Sequence, residues 1–68
     1  MSHEIKVLEY LMTEKSKVGE ISKNTRIPEV ILKNVLKSLE GRKLIKMEGD
    51  EVSITEEGKK YLIEIKRL

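Results

Sequence analysis

The sequence contains no cysteine, and its 68 residues also include no alanine, glutamine, tryptophan or phenylalanine. The absence of cysteine excludes disulfides and thiolate metal sites. Small domains often depend on such cross-links, so this chain must be stabilised by packing or by self-association. No apolar run approaches the roughly 20 residues that a membrane-spanning helix requires, and the first residues lack the pattern of a signal peptide. We therefore expect a cytoplasmic protein without a membrane segment.

Aliphatic side chains are abundant, with eight isoleucines, eight leucines and five valines. A chain of this length is near the lower limit for an independent core, and we expect one domain over residues 1–68. The sequence is rich in lysine and glutamate, while glutamine and cysteine are absent. Proteins of hyperthermophiles share this bias, so we expect a thermophilic source, with an archaeon among the candidates.

Charge is distributed unevenly along the chain, although the net charge is only +2. Residues 17–46 contain eight basic and three acidic residues, whereas residues 47–58 contain five acidic residues and no basic one. Most such charges simply keep a surface hydrated. A basic block that surrounds a predicted helix nevertheless favours a polyanionic partner.

Hydrophobic spacing and capping residues predict an α+β domain that is mostly helical. Pro28 suits the first turn of a helix, Gly49 and Asp50 suit a tight hairpin turn, and Thr55 suits an N-cap. The predicted order is a helix over 3–13 after Ser2 as N-cap, an extended stretch over 15–18, a helix over about 19–25, a helix over about 28–41, extended runs over 44–48 and 51–54, and a last helix after residue 55.

The apolar positions also predict which side of each helix is buried. Val7 lies off the predicted inward face of the first helix, and Ile63 of the last helix points away from the core. The inward face of the first helix consists of Ile5, Leu8, Leu11 and Met12, and that of the last helix of Tyr61, Leu62, Ile65 and Leu68. The predicted core is Ile5, Leu8, Leu11, Val18, Ile21, Ile27, Leu32, Val35, Leu36, Leu39, Leu44, Ile45, Val52, Ile54, Leu62 and Ile65.

The order of elements and three stretches of sequence resemble the winged helix-turn-helix superfamily over nearly the whole chain. Residues 17–23 are similar to its short strand that enters the second helix, 27–40 to its recognition helix, and 44–45 with 54–62 to its wing and the helix that follows. The last stretch contains a threonine, two acids and a glycine, and it resembles a run found in multiple-antibiotic-resistance-type regulators and in small archaeal regulators. The resemblance implies a three-helix core, a β-hairpin wing and a C-terminal helix.

The resemblance further implies binding of double-stranded DNA in transcription regulation. In that family the third helix lies in the major groove, while the second helix and the wing contact the backbone. Asparagine is suited to adenine and lysine to guanine. The residues that would face the groove are Val30, Lys33, Asn34 and Lys37, and the candidates for phosphate contacts are Lys17, Lys23, Arg42, Lys43 and Lys46.

A single copy of such a domain offers one half-site, whereas operators usually engage two. We therefore expect a homodimer, and the apolar side chains that the last helix leaves outside its core face, Ile63 and Leu68, indicate that helix as the contact.

A second hypothesis is a winged-helix module of a larger assembly that binds protein or is associated with tRNA or another RNA. The chain is also similar, more weakly, to the N-terminal winged-helix domain of the phenylalanyl-tRNA synthetase α chain. The acidic tip at residues 48–51 would be repelled by phosphate and favours this alternative, whereas the basic third helix favours DNA. Val30 and Ile31 could equally contact a protein. Arg26 stands where the family often has glycine, which predicts a strained or reshaped turn.

Catalytic chemistry has no candidate in the sequence. His3 is the only histidine, and it lies beside the N-terminus without a second ligand placed to share a metal. The serines lack a His–Asp partner set, and the four glycines are scattered rather than grouped in a phosphate loop. Glu56 and Glu57 suit the positive end of a helix better than acid–base work. We therefore expect no enzyme activity, no cofactor and no metal.

Overall fold

A computed structural model describes residues 2–68 of the chain. Four helices and a three-stranded antiparallel sheet form a small α+β fold that is mostly helical, which confirms the predicted class. The predicted bounds are correct to within two residues. The elements are α1 (His3–Leu11), β1 (Ser16–Lys17), α2 (Val18–Thr25), α3 (Glu29–Gly41), β2 (Ile45–Glu48), β3 (Glu51–Ile54) and α4 (Glu56–Arg67).

Strand β3 lies in the centre of the sheet, with β1 on one side and β2 on the other. Ser16 of β1 is opposite Val52, and Ile45 of β2 is opposite Ile54. The hairpin turn between β2 and β3 is possible because Gly49 adopts a φ of +64°, a conformation that glycine takes without steric penalty. The sequence predicted β1 as an extended stretch but did not predict its pairing with β3.

Side-chain caps begin the first and last helices. The hydroxyl of Ser2 accepts a hydrogen bond from the Ile5 amide at 3.1 Å, and the hydroxyl of Thr55 accepts one from the Gly58 amide at 3.0 Å. Each bond satisfies an amide that has no partner inside its own helix. Both predicted N-caps are confirmed.

The core contains eleven of the sixteen predicted residues and Val7, which the sequence analysis wrongly placed off the inward face. At 100° per residue, the buried side of α1 is rotated by roughly 60° from the predicted face, so Val7 is buried and Met12 is 41% exposed. Leu68 was also predicted to face inward and is exposed, because α4 ends at Arg67. The buried core is Val7, Leu8, Leu11, Ile21, Ile27, Leu32, Leu36, Leu39, Leu44, Ile45, Val52 and Leu62.

Gly58 is buried where the first turn of α4 packs against the base of the hairpin. A Cβ atom at this position would overlap the carbonyl oxygen of Leu44 and the side chain of Ile54. The amide of Thr55 donates to the same Leu44 carbonyl at 3.1 Å. The Leu44 carbonyl is therefore held both by this hydrogen bond and by its packing against Gly58. Only glycine allows α4 to approach the hairpin this closely.

We predict that Gly58→Ala lowers the free energy of unfolding by about 1–3 kcal/mol, because the new methyl group has no space. Gly41→Ala is the matched control. Gly41 also lies in a helix, but a Cβ there meets nothing within 4 Å, so alanine should stabilise the domain by up to about 1 kcal/mol. Urea denaturation of both variants measures the difference, and equal stabilities would contradict the close approach.

Candidate nucleic-acid interface

Helix α3 has one side in the core and the opposite side in solvent. Leu32, Leu36 and Leu39 are fully or almost fully buried and fix the rotation of the helix about its axis. At 100° per residue, the four predicted groove-facing residues fall within an arc of roughly 100° on the solvent side. All four are exposed, and they are Val30, Lys33, Asn34 and Lys37.

The turn between α2 and α3 has an unusual backbone conformation. Arg26 adopts φ 61° and ψ 27°, the left-handed region, and its amide donates to the Ser22 carbonyl at 2.9 Å. The Ser22 hydroxyl donates to the Ile27 carbonyl at 2.6 Å and closes the turn from the other side. A left-handed arginine costs about 1–2 kcal/mol relative to a relaxed residue. Of the two alternatives predicted from Arg26, a strained turn or a reshaped one, the structure has the strained turn.

A groove of about 520 Å³ separates α3 from the tip of the hairpin. Its apolar lining comes from Val18, Leu36 and Met47. The amide of Val18 donates to the Asp50 carbonyl at 3.1 Å, and this bond fixes the hairpin tip beside the start of α2. The groove is therefore built from three separate elements held at fixed positions.

The groove has charges of both signs. Lys33 and Lys37 line it from α3, together with Glu29 and Glu40 of the same helix and Asp50 of the hairpin. Within residues 2–68, neither of these lysines forms an ion pair. Their ammonium groups therefore remain available to an external anion, although three carboxylates lie along the same groove.

The other predicted phosphate contacts lie on β1, on α2, on β2 and in the corner after α3. Lys17 ends β1 opposite Glu51, Lys23 lies in the last turn of α2, and Lys43 lies in the corner after α3 with a φ of 61°. Lys46 of β2 lies 3.8 Å from Glu48. All of these side chains are exposed, and they belong to different elements.

Comparison with models of known protein families, with curated proteins and with solved structures found no match to this chain. Within residues 2–68, no three acidic, histidine or cysteine side chains converge on a possible metal site. None of the helices described is long and apolar enough to cross a membrane. The assignment of the candidate interface therefore depends on the geometry and the charges of this chain alone.

Arg42 differs from the other predicted phosphate contacts because its guanidinium contacts side chains of two other helices. It donates to the Glu4 carboxylate at 2.9 Å and lies 4.9 Å from the centre of the Tyr61 ring. Ser38 donates to the second oxygen of Glu4 at 3.1 Å. The contacts with Tyr61 and with Glu4 raise the pKa of the Arg42 guanidinium. Arg42 thus links α3 to α1 and α4, a role that the sequence analysis missed.

We predict that Arg42→Ala lowers the free energy of unfolding by about 0.5–1 kcal/mol, since it removes a partly exposed ion pair and a cation–π contact. Lys33→Ala removes one positive charge from α3 but no ion pair within the described part of the chain, so its stability should be close to that of the wild type. Thermal unfolding compares the two variants. A destabilisation by Lys33→Ala as large as that by Arg42→Ala would contradict the assigned role of Arg42.

Proposed function

We propose that this chain is a winged helix-turn-helix domain that binds double-stranded DNA as a transcription regulator. The order α2, turn, α3 and hairpin has the arrangement expected of such a domain. The observation that carries the proposal is the solvent side of α3, where two lysines and an asparagine lie on a helix whose other side is fixed in the core. Helix α3 is the recognition helix in this proposal.

The chemistry of this surface suits a DNA major groove. The amide of Asn34 can both donate to and accept from adenine, and the ammonium groups of Lys33 and Lys37 can bind guanine or phosphate oxygens. Their helix is held by Leu36 at its centre, so the side chains are presented from a rigid support. Lys17, Lys23 and Lys43 would supply phosphate contacts beside it.

A second candidate is a winged-helix module that binds protein or RNA within a larger assembly, and the hairpin favours it. Glu48, Asp50 and Glu51 surround the tip, and among residues 2–68 Asp50 forms no ion pair. An acidic tip is repelled by phosphate, whereas it can attract a basic protein surface. The DNA proposal therefore assigns the main contact to α3 rather than to the hairpin.

We predict binding to random-sequence duplex DNA that weakens steeply as salt concentration rises, because lysines release counterions from phosphate. The double variant Lys33→Ala/Lys37→Ala should bind more weakly, and its plot of log affinity against log salt should be shallower by about one for each lost phosphate contact. Fluorescence anisotropy with a labelled duplex over a salt series measures both quantities.

The matched control for this measurement is Lys6→Ala/Lys60→Ala, which removes the same charge from α1 and α4. Its salt dependence should equal that of the wild type if binding is confined to the proposed interface. Equal losses in the two double variants would indicate general attraction by net charge. Undiminished binding by Lys33→Ala/Lys37→Ala would refute the assignment of α3, and absence of any DNA binding at low salt would favour the second candidate.

We further propose that the regulator is a homodimer formed through α4. Ile63 is 49% exposed and lines a shallow groove with Met12 at the end of α1, an apolar neighbour that was not part of the predicted dimer contact. Lys66 and Glu9 form an ion pair at 2.7 Å in the same groove. Two copies related by a twofold axis would bury the same apolar surface on each side.

For the dimer we predict that sedimentation at micromolar concentration gives about twice the monomer mass of 7.9 kDa, and that Ile63→Asp gives the monomer. Val30→Asp is the control, because Val30 is even more exposed but lies on α3. It should leave the mass unchanged. A monomeric wild type would remove the dimer from the proposal, and dissociation by Val30→Asp alone would move the contact to α3.

A further inference from the structure

Val30 is an apolar residue at the N-terminal end of a polar, solvent-facing surface. Its side chain is 78% exposed, and Lys33, Asn34 and Lys37 follow it at positions i+3, i+4 and i+7 on the same side of α3. A β-branched residue is also a poorer helix former than the long polar residues around it. Neither burial in the core nor helix propensity favours valine at this position.

We infer that Val30 contacts the 5-methyl group of thymine, which would make the domain prefer T·A base pairs at that position. The inference rests on the proposed function, since it requires α3 to enter the major groove. There the thymine methyl is the apolar group that distinguishes one base pair from another, and small apolar side chains are its usual contacts. An apolar side chain on the same helix side as two lysines matches a surface that combines negative charge with methyl groups.

The position of Val30 along α3 supports this assignment. It lies in the first turn of the helix, and the N-terminal residues of a recognition helix are the ones that reach base edges. Asn34 is one turn further on, roughly 6 Å along the axis of α3. Val30 and Asn34 can therefore contact base edges within one short site, and thymine methyl and adenine are both features of A·T pairs.

Ile31 is the other exposed apolar residue of α3, at 43% exposure. At 100° per residue it lies roughly 100° around the helix from Val30, outside the arc that contains the lysines and Asn34. A protein-binding patch built from both residues would have to cover two sides of α3. The thymine contact needs only Val30, and it leaves Ile31 as a neighbour suited to serve as a control.

The test compares two duplex polymers of equal length, alternating poly(dA-dT) and alternating poly(dA-dU), which differ only in the thymine methyl group. The wild type should bind the thymine polymer about fourfold more tightly, the ratio expected for burying one methyl-sized group. Val30→Ser should bind both polymers with equal affinity. Its fold should be unaffected because the side chain is mostly in solvent, and circular dichroism checks this.

Ile31→Ser is the matched control and should keep the wild-type ratio. A ratio of one for the wild type would overturn the inference while leaving DNA binding intact. A preference that persists in Val30→Ser would also overturn it, because uracil then acts through duplex shape rather than through this contact. Loss of the preference in both variants would remove the assignment to Val30. Absence of binding to either polymer at low salt would instead refute the proposed function.

Discussion

The close approach of Gly58 to the Leu44 carbonyl is the constraint on which the architecture depends. It lies at the corner where the chain leaves α3 and enters the hairpin, and the Thr55 hydroxyl secures the same corner by donating to the Lys43 carbonyl at 2.8 Å. Helix α4 is pressed against this corner, where β2 begins and β3 ends. Strand β3, which is anchored here, is the central strand of the sheet and pairs with β1 along its other edge.

Most of the secondary structure was predictable because each element has a local signal: caps at Ser2 and Thr55, an apolar stripe in α3, and a glycine turn in the hairpin. Val7 was not predictable in the same way. Helix α1 has nine residues and contacts α2, α3, α4 and β3, so several neighbours decide which arc is buried. Periodicity in so short a helix defines the face only approximately.

The candidate interface was predictable where the opposite side of the same helix is fixed by the core. Because the leucines of α3 are buried, the opposite side of the helix, with Lys33, Asn34 and Lys37, is exposed. Arg42 was not predictable, since its carboxylate partner Glu4 lies 38 positions away in the sequence and its aromatic partner Tyr61 lies on another helix. The two-residue strand β1 was likewise too short for its sequence to specify which strand it pairs with.

Charge around α3 bears on how a nucleic acid would be recognised under the proposed function. The two lysines of the groove share it with Glu29, Glu40 and Asp50, so the long-range attraction for any polyanion is partly cancelled. Contacts with phosphate are the sequence-independent part of binding, whereas contacts with base edges discriminate between sequences. A helix with weakened attraction for phosphate therefore depends more heavily on its short-range contacts. An exposed valine beside an asparagine supplies contacts of that kind, at positions where substitution leaves the core untouched.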